Sequence, residues 1–223
     1  DSALRAARAR IDPVDAEVLL AHALGQGRSW LYAHGDAPVP PGARAAFEDL
    51  VQRRVGGEPV AYLVGRQGFW RLDLVVTPDT LVPRPETELL VELALARIPR
   101  GRTVDVLDLG TGSGAIALAL ALERPDARVV ATDASNAALE VARGNAGRLA
   151  LGNVRFAHGH WWDAVDQVAF DLIVSNPPFV VHPGRQARDE RHGEEVGVER
   201  VPVRQAWARH LKVETGTCRR MRE

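Results

Sequence analysis

The chain has 223 residues, of which 46% are hydrophobic, and its formal net charge is −1. This length fits one large domain or two small ones with a real core, and the charge gives no global attraction to nucleic acid or anionic membranes. The single cysteine, Cys218, excludes an internal disulfide and a cysteine-rich metal site and favours a cytoplasmic compartment. No segment resembles a signal peptide or a membrane span, so we expect no membrane partner.

Helical spacing dominates residues 1–58. Asp12 and Pro13 are typical of a helix start, and a second apolar stripe runs through Ala43–Val55, which includes Phe47. We predict a helical domain here. Because so small a domain has too little core to be an enzyme alone, we interpret it as a substrate-recognition domain.

Residues 59–76 predict a β-hairpin linker, formed by Ala61–Gly65 and by the alternating segment Gly68–Val76. A helix is predicted next over Glu86–Arg97. The rigid, charged segment Arg84-Pro85-Glu86-Thr87-Glu88 at its start has two interpretations. It is either a proline-capped helix N-terminus with acids that favour the helix dipole, or part of a site.

A glycine-rich turn follows an apolar strand and opens an Ala/Leu-rich helix. Gly110, Gly112 and Gly114 alternate with Thr111 and Ser113. Glycine permits positive φ and lets a ligand approach the main chain without meeting a Cβ atom. The turn predicts a nucleotide cradle, although a plain strand-to-helix turn is the alternative. By itself it does not separate NAD from S-adenosylmethionine, because it also satisfies the loose dinucleotide pattern.

Asp133 ends the next predicted strand, about twenty residues after the last glycine, where a carboxylate accepts hydrogen bonds from ribose hydroxyls. Capping of the following helix is the simpler interpretation. A third strand, Val154–His158, leads to Trp161-Trp162, which offers aromatic surface for an adenine. Two adjacent indoles cannot both point inward, so we expect at least one to line a surface or a pocket.

The alternation of strands and helices predicts an α/β fold with a parallel sheet and right-handed crossovers. The fourth strand, Phe170–Ser175, delivers Asn176-Pro177-Pro178-Phe179 to the carboxyl edge, where such sheets bind ligands.

This tetrad is suited to a planar NH2 group. The Asn176 side-chain oxygen and the Pro177 carbonyl each accept one N–H, the prolines keep the loop rigid, and Phe179 stacks on the flat face. An ordinary proline turn is the alternative. Since hydride transfer has no use for paired acceptors of an amino group, the tetrad favours S-adenosylmethionine as the cofactor.

The tetrad, placed after strand four of a glycine-loop sheet, resembles the amino-group N-methyltransferases that use S-adenosylmethionine. Phe69-Trp70 and Leu81–Glu88, behind a helical domain, resemble the release-factor glutamine N5-methyltransferases. Those enzymes methylate the glutamine of the Gly-Gly-Gln motif in class I peptide chain release factors. The resemblance extends from about Asp12 to Phe179. It implies the Rossmann-like sheet of class I methyltransferases, preceded by a small helical domain.

By this resemblance, the loop from Gly110 to Gly114 holds the methionine part of the cofactor, Asp133 holds the ribose and Trp161 lies beside the adenine. Asn176 and Pro177 are the implied catalytic residues. The whole tetrad Asn176, Pro177, Pro178 and Phe179 binds the substrate amide, and Asn176 also lies close to the methyl donor. Two departures are Phe179, where tyrosine is usual, and His160, where an acid usually precedes the tryptophan.

The methyltransferase domain is expected over residues 77–181, followed by a divergent tail over 182–223. The tail is rich in charge and has no apolar run, which favours solvated chain and leaves open that the C-terminal part of the sheet is incomplete. One helix is predicted near Ala206–Val213. His158, His160 and His182 have no spacing that predicts a metal site.

The resemblance implies a monomer that acts on class I release factors and does not bind nucleic acid directly. Three alternatives stay open. They are methylation of an adenine or cytosine in RNA or DNA, methylation of a ribosomal protein glutamine, and a non-catalytic binding module that recognises its partner through the helical domain.

Overall fold

The chain folds in two units, Asp1–Arg66 and Gln67–Glu223. The computed structural model describes residues 2–35, 37–165, 169–176 and 197–199. Each unit has its own hydrophobic core. Over the described residues, no helix is long and apolar enough to span a bilayer.

Five helices form the first unit: α1 (Ser2–Arg8), α2 (Pro13–Ala23), α3 (Arg28–Ala33), α4 (Pro41–Val55) and α5 (Val60–Val64). The predicted helix start at Asp12 is confirmed, because its side chain accepts the Val14 N–H at 2.8 Å while Pro13 occupies the first helical turn. Leu19, Phe47 and Val51 are fully buried in the core between the helices. The predicted apolar stripe of α4 therefore packs inward.

Glu17 ties α1, α2 and α3 together. Its carboxylate accepts hydrogen bonds from Arg8 at 2.8 Å, Arg28 at 2.6 Å and the Tyr32 hydroxyl at 2.8 Å. The Arg28 guanidinium, followed by the Tyr32 and Arg8 donors, lowers the pKa of Glu17 from 4.5 to about 2. The residue is buried, so its charge is compatible with the fold only because it is paired.

A two-stranded hairpin, β1 (Arg66–Phe69) and β2 (Leu72–Val75), follows α5. The predicted hairpin partners were wrong, since Val60–Val64 forms α5 and the segment Gly68–Val76 contains the end of β1, the turn at Trp70 and Arg71, and β2. Val60, Leu63 and Val64 pack on the core of the first unit at helical spacing, and Gly65 ends the helix at φ 71°. In five apolar residues, periodicity does not distinguish a helix from a strand.

The second unit is built on a sheet whose strands run in the order β5, β4, β3, β6, β7. The strands are β3 (Asp105–Leu109), β4 (Arg128–Asp133), β5 (Val154–His158), β6 (Leu172–Ser175) and β7 (Gly197–Glu199), and the helices are α6 (Glu88–Leu95), α7 (Ala115–Glu123) and α8 (Asn136–Arg148). The pairs β5–β4, β4–β3 and β3–β6 are parallel, as predicted.

The register aligns the carboxyl ends of the four parallel strands. Leu109 pairs with Thr132 and Ser175, and Asp133 pairs with His158. The residues that follow these strands therefore meet at one edge of the sheet, which brings the glycine loop, the end of β4 and Asn176 together.

Both faces of this sheet are covered. Val106 and the almost wholly buried α7 belong to one apolar cluster, whereas Leu107 and Leu109 pack with Phe170 and Ile173 in another. Because the middle strand is buried on both sides, it has a continuous apolar sequence. Because β3 is buried on both sides, the glycine loop that follows it starts from a fixed position at the edge of the sheet.

β7 lies within the predicted charged tail and pairs antiparallel with β6, with Ser175 opposite Gly197. The tail composition did not predict this strand, because a three-residue strand of sequence Gly-Val-Glu is too short to carry an apolar pattern. The rest of the tail, including the helix predicted at 206–213, lies outside the described residues.

Candidate functional site

A cavity of about 400 Å³ opens at the carboxyl edge of the parallel sheet. Its walls come from the turns after β3, β4, β5 and β6 and from the segment before α6. This position and size suit a small organic ligand in an α/β sheet. The wall segments are 79–84 with Thr87, 110–113 with 115–116, 132–135 with Ala138, 159–161, and Asn176.

The glycine loop presents bare backbone to the cavity. Gly110 and Gly112 have φ values of 73° and 55°, and a Cβ atom added at either position would meet no other atom within 4 Å. The positive φ favours glycine at both positions, and the open space beside them leaves the main chain accessible to a ligand. The amides of Gly110 and Thr111 each donate to the Thr132 carbonyl at 2.9 Å, which pins the loop to the end of β4.

Asp133 is bound to the same loop. Its Oδ2 accepts the Gly112 N–H at 2.9 Å, and its Oδ1 accepts the Ser135 N–H at 2.9 Å. The residue that caps α8 is Ser135, whose Oγ accepts the Ala138 N–H at 3.2 Å, so the capping interpretation of Asp133 was wrong. The Asp133 carboxylate holds the residue before the helix and lines the cavity. Each carboxylate oxygen accepts more than one hydrogen bond, so capacity remains for a ligand hydroxyl.

Asn176 reaches the cavity from the end of β6. Its Nδ2 donates a hydrogen bond to the Thr87 hydroxyl oxygen at 2.9 Å. Next to it, the Ser175 hydroxyl donates to the Leu109 carbonyl at 2.9 Å and joins β6 to β3. Pro177, Pro178 and Phe179, the other members of the predicted substrate site, lie outside the described residues.

Two family models match the chain, the PrmC N-terminal domain over residues 1–65 and the methyltransferase small domain over residues 85–191. Curated relatives named release factor glutamine methyltransferase include one from Xylella fastidiosa strain Temecula1, which is 55% identical over 79% of this chain and 64% of its own length. Those from Salmonella typhimurium strain LT2 and Escherichia coli K12 are 51% and 46% identical, over 74% of this chain and 60% of their own lengths. The chain is similar to the release factor glutamine methyltransferases over about three quarters of its length. It spans less than two thirds of the length of these relatives.

The predicted fold class agrees with these matches. A parallel sheet follows a helical region along the chain, and the PrmC N-terminal and methyltransferase small domain models match in the same order. The two models match the chain on either side of the hairpin. The second of them contains the glycine loop, Asp133 and Asn176. The predicted site residues therefore lie in the part of the chain that carries the family likeness.

The two adjacent tryptophans face different surroundings, as expected. Trp161 lines the cavity with 38% of its surface exposed, whereas Trp162 packs against the apolar cluster that contains Leu107 and Phe170. The change of direction occurs at Trp161, which has a positive φ of 51°. His160, at the departure from the family pattern, also lines the cavity.

Asp108 lies wholly buried under the glycine loop. The Thr111 hydroxyl donates to its Oδ2 at 2.7 Å. Burial raises the pKa of the Asp108 carboxyl from 3.8 to about 7, and the Thr111 hydrogen bond opposes that rise. The side chain thus fixes the inner wall of the loop rather than facing a ligand.

Sequence reasoning missed three parts of the site. Residues 79–84 were not assigned to the site, although Leu81–Glu88 carries part of the family resemblance, and Thr87 was visible only within a charged segment that fitted two interpretations. Both interpretations of that segment are right in part, because 85–87 is the 3-10 turn that starts α6 and Thr87 lines the cavity.

The third missed residue is Asn145, buried inside α8. Its Nδ2 donates to the Ser113 carbonyl at 3.0 Å and to the Val75 carbonyl at 2.9 Å, and its Oδ1 accepts the Val75 N–H at 2.8 Å. One side chain therefore joins the glycine loop to β2. A lone asparagine in a helical pattern gives no signal of such a role.

Of the three histidines that the sequence analysis considered, His158 and His160 lie in the described residues. His158 Nε2 lies 3.1 Å from the Ala134 carbonyl, and His182 is outside the described residues. In the part of the chain that the structure describes, no group of three or more His, Cys, Asp and Glu side chains is arranged to hold a metal ion.

Proposed function

We propose that this protein is a peptide chain release factor glutamine N5-methyltransferase, which uses S-adenosylmethionine to methylate the glutamine of the Gly-Gly-Gln motif in class I release factors. The observation that carries the proposal is the position of Asn176, whose carboxamide lines the same cavity as the glycine loop and Asp133. That arrangement puts an amide-binding group beside a nucleoside-binding edge in a chain similar to the release factor glutamine methyltransferases. The name printed for the relatives supplies the substrate.

The cavity fits the cofactor by three features of the chain. Gly110 to Gly114 would receive the methionine part against bare backbone, Asp133 has acceptor capacity left for the ribose hydroxyls, and Trp161 offers an exposed indole for the adenine. When bound, S-adenosylmethionine supplies an electrophilic methyl group. The residues themselves bind, orient and shield the reacting groups from water.

The substrate side depends on Asn176. An amide nitrogen is a weak nucleophile because its lone pair is delocalised into the carbonyl, so rate enhancement must come from position and electrostatics. Asn176 Oδ1 and the Pro177 carbonyl would each accept one N–H of the glutamine side chain, and Phe179 would stack on its plane. These contacts aim the nitrogen at the methyl donor. The roles of residues 177–179 rest on the family resemblance.

The helical first unit is the proposed recognition domain for the release factor, with residues 59–76 as linker, 77–181 as the methyltransferase domain and 182–223 as tail. Support comes from the match of the PrmC N-terminal domain to residues 1–65 and from the position of the cavity residues in the second unit. The cytoplasm is the proposed compartment, in line with a single cysteine and a translation factor as partner.

The test is a transfer assay with methyl-labelled S-adenosylmethionine and an unmodified class I release factor. We expect label on the release factor and none on a release factor whose Gly-Gly-Gln glutamine is replaced. Label on RNA, DNA or a ribosomal protein under the same conditions, with none on the release factor, would contradict the proposed substrate. Cofactor binding without any transfer would instead favour a binding module.

A further inference from the structure

Thr87 occupies an unusual place for a small polar side chain. It ends the 3-10 turn Pro85–Thr87 just before α6, it is only 6% exposed, and it nevertheless lines the cavity. A buried hydroxyl needs a hydrogen-bond partner, and the partner of Thr87 is the carboxamide of Asn176.

The Thr87 contact engages one end of the Asn176 side chain. A carboxamide carries donors on nitrogen and acceptors on oxygen, and the two ends have nearly the same shape. Asn176 Nδ2 donates to Thr87 Oγ1 at 2.9 Å, so the nitrogen end is engaged by the protein. The oxygen end is left as the group that can accept an N–H from a ligand.

This orientation matters for the proposed reaction. A glutamine side-chain NH2 presents only N–H donors in its plane, so it needs an acceptor opposite it. If the Asn176 carboxamide were turned over, its own N–H groups would face those of the substrate, and the contact would be repulsive. Correct orientation of one amide therefore decides whether the substrate is held.

Thr87 is itself held in place. Its N–H donates to the Arg84 carbonyl at 3.1 Å, and the next residue, Glu88, accepts the Trp70 N–H on Oε1 at 2.6 Å. Pro85 restricts φ at the start of the turn. The hydroxyl is thus presented by a segment fixed at both its turn and its helix end.

We propose that Thr87 is a positioning residue that anchors the Asn176 carboxamide at the cavity wall by its nitrogen end, which leaves the oxygen for the substrate amide. The inference rests on the proposed function, because it assigns a role in binding an NH2 substrate. It also explains why the charged segment before α6 belongs to the site although its charges do not reach Asn176.

The first test compares Thr87→Val, which keeps the shape and removes the hydroxyl, with Thr87→Ser, which keeps the hydroxyl. We expect Thr87→Val to lower kcat by about 10- to 100-fold while the cofactor Kd changes less than about twofold, and Thr87→Ser to restore kcat to within about threefold of the parent. Leu90→Val, a buried change on α6 outside the cavity, is the matched control for lost stability and should keep the parent kcat. An equal kcat loss in Leu90→Val, or no rescue by serine, would overturn the proposal.

A double-mutant cycle tests whether Thr87 acts through Asn176. In Asn176→Ala there is no carboxamide for Thr87 to hold, so the need for Thr87 is removed. We expect Thr87→Val to cost less than about threefold in that background, compared with 10- to 100-fold in the parent. The same fold-loss in both backgrounds would show that Thr87 does not act through the carboxamide.

Hydrogen exchange of the Asn176 side-chain NH2, followed by NMR in protein labelled with ¹⁵N at asparagine, needs no substrate. We expect its protons to exchange at least about tenfold more slowly in the parent and in Thr87→Ser than in Thr87→Val. Equal exchange rates in all three proteins would overturn the inference. Slow exchange in a protein that methylates no release factor would instead leave Thr87 in its role and reject the proposed function.

Discussion

At the scale of single residues, Asn176 is the group on which transfer depends. We predict that Asn176→Ala lowers kcat by about 100-fold or more, because the substrate nitrogen loses an acceptor that orients it. The cofactor Kd should stay within about threefold, since the glycine loop and Asp133 remain. Single-turnover transfer and calorimetric binding measure the two effects. A variant that still turns over at the parent rate would reject the role of Asn176.

For Asp133 we expect the opposite result, with the loss in cofactor binding rather than in transfer. We predict that Asp133→Ala raises the cofactor Kd by about 10- to 100-fold, because hydrogen bonds to a carboxylate are worth about 1.5–3 kcal/mol and this one also holds the Gly112 amide. Asp126→Ala, an exposed acid away from the cavity, is the control and should bind as the parent does. Unchanged Kd in Asp133→Ala would remove the ribose assignment.

The glycine loop and Asp133 were predictable from the sequence because their signals are local. A strand, alternating glycines and an acid about twenty residues later follow one another in a fixed spacing. Thr87 was not, because its partner lies 89 residues away and the bond joins two segments with no common pattern. Side-chain contacts of this kind depend on tertiary packing that no local pattern records.

At the scale of elements, Asn145 braces α8 against β2 and the glycine loop. We predict that Asn145→Ala lowers the free energy of unfolding by about 2–4 kcal/mol, because the buried Val75 N–H and two carbonyls lose their partner. Urea denaturation measures the change. Asn136→Ala, at an exposed position on the same helix, is the control and should change stability by less than about 0.5 kcal/mol. A similar loss of unfolding free energy in both variants would contradict this role of Asn145.

The three-helix contact at Glu17 makes a pH-dependent contribution to stability. Its carboxyl pKa is about 2 in the folded protein and near 4.5 when free, so the contribution is complete above about pH 5 and is lost as the pH falls toward 2. We predict that the stability difference between the parent and Glu17→Gln shrinks across this window. Denaturation curves at several pH values measure it. A stability difference between the two proteins that stays constant from pH 5 to 2 would contradict the ion pairing of Glu17.

The elements that sequence patterns misjudged are all short. α5 has five residues, β1 and β2 have four each and β7 has three, so none contains enough positions for a period to be recognised. The longer strands and helices were predicted because each one repeats its pattern over one or more full periods. Their ends shifted by a residue or two, as capping and fraying allow.

At the scale of the whole molecule, the parallel order of the second unit explains why residues far apart in the chain form one site. The parallel register aligns the carboxyl ends of β3, β4 and β6. Gly112, Asp133 and Asn176 lie at or just after these ends. The class of fold was therefore predictable from apolar runs and crossovers alone. The antiparallel strand β7 at the edge of this sheet was not predictable, because it lies in a segment rich in charge.

Tandem mass spectrometry of a class I release factor, incubated with this protein and S-adenosylmethionine, tests the central claim most directly. We predict one added methyl group on the side-chain nitrogen of the Gly-Gly-Gln glutamine. No methyl group should be added when Asn176→Ala is used in place of the parent. A folded, cofactor-binding protein that leaves this glutamine unmodified would contradict the claim.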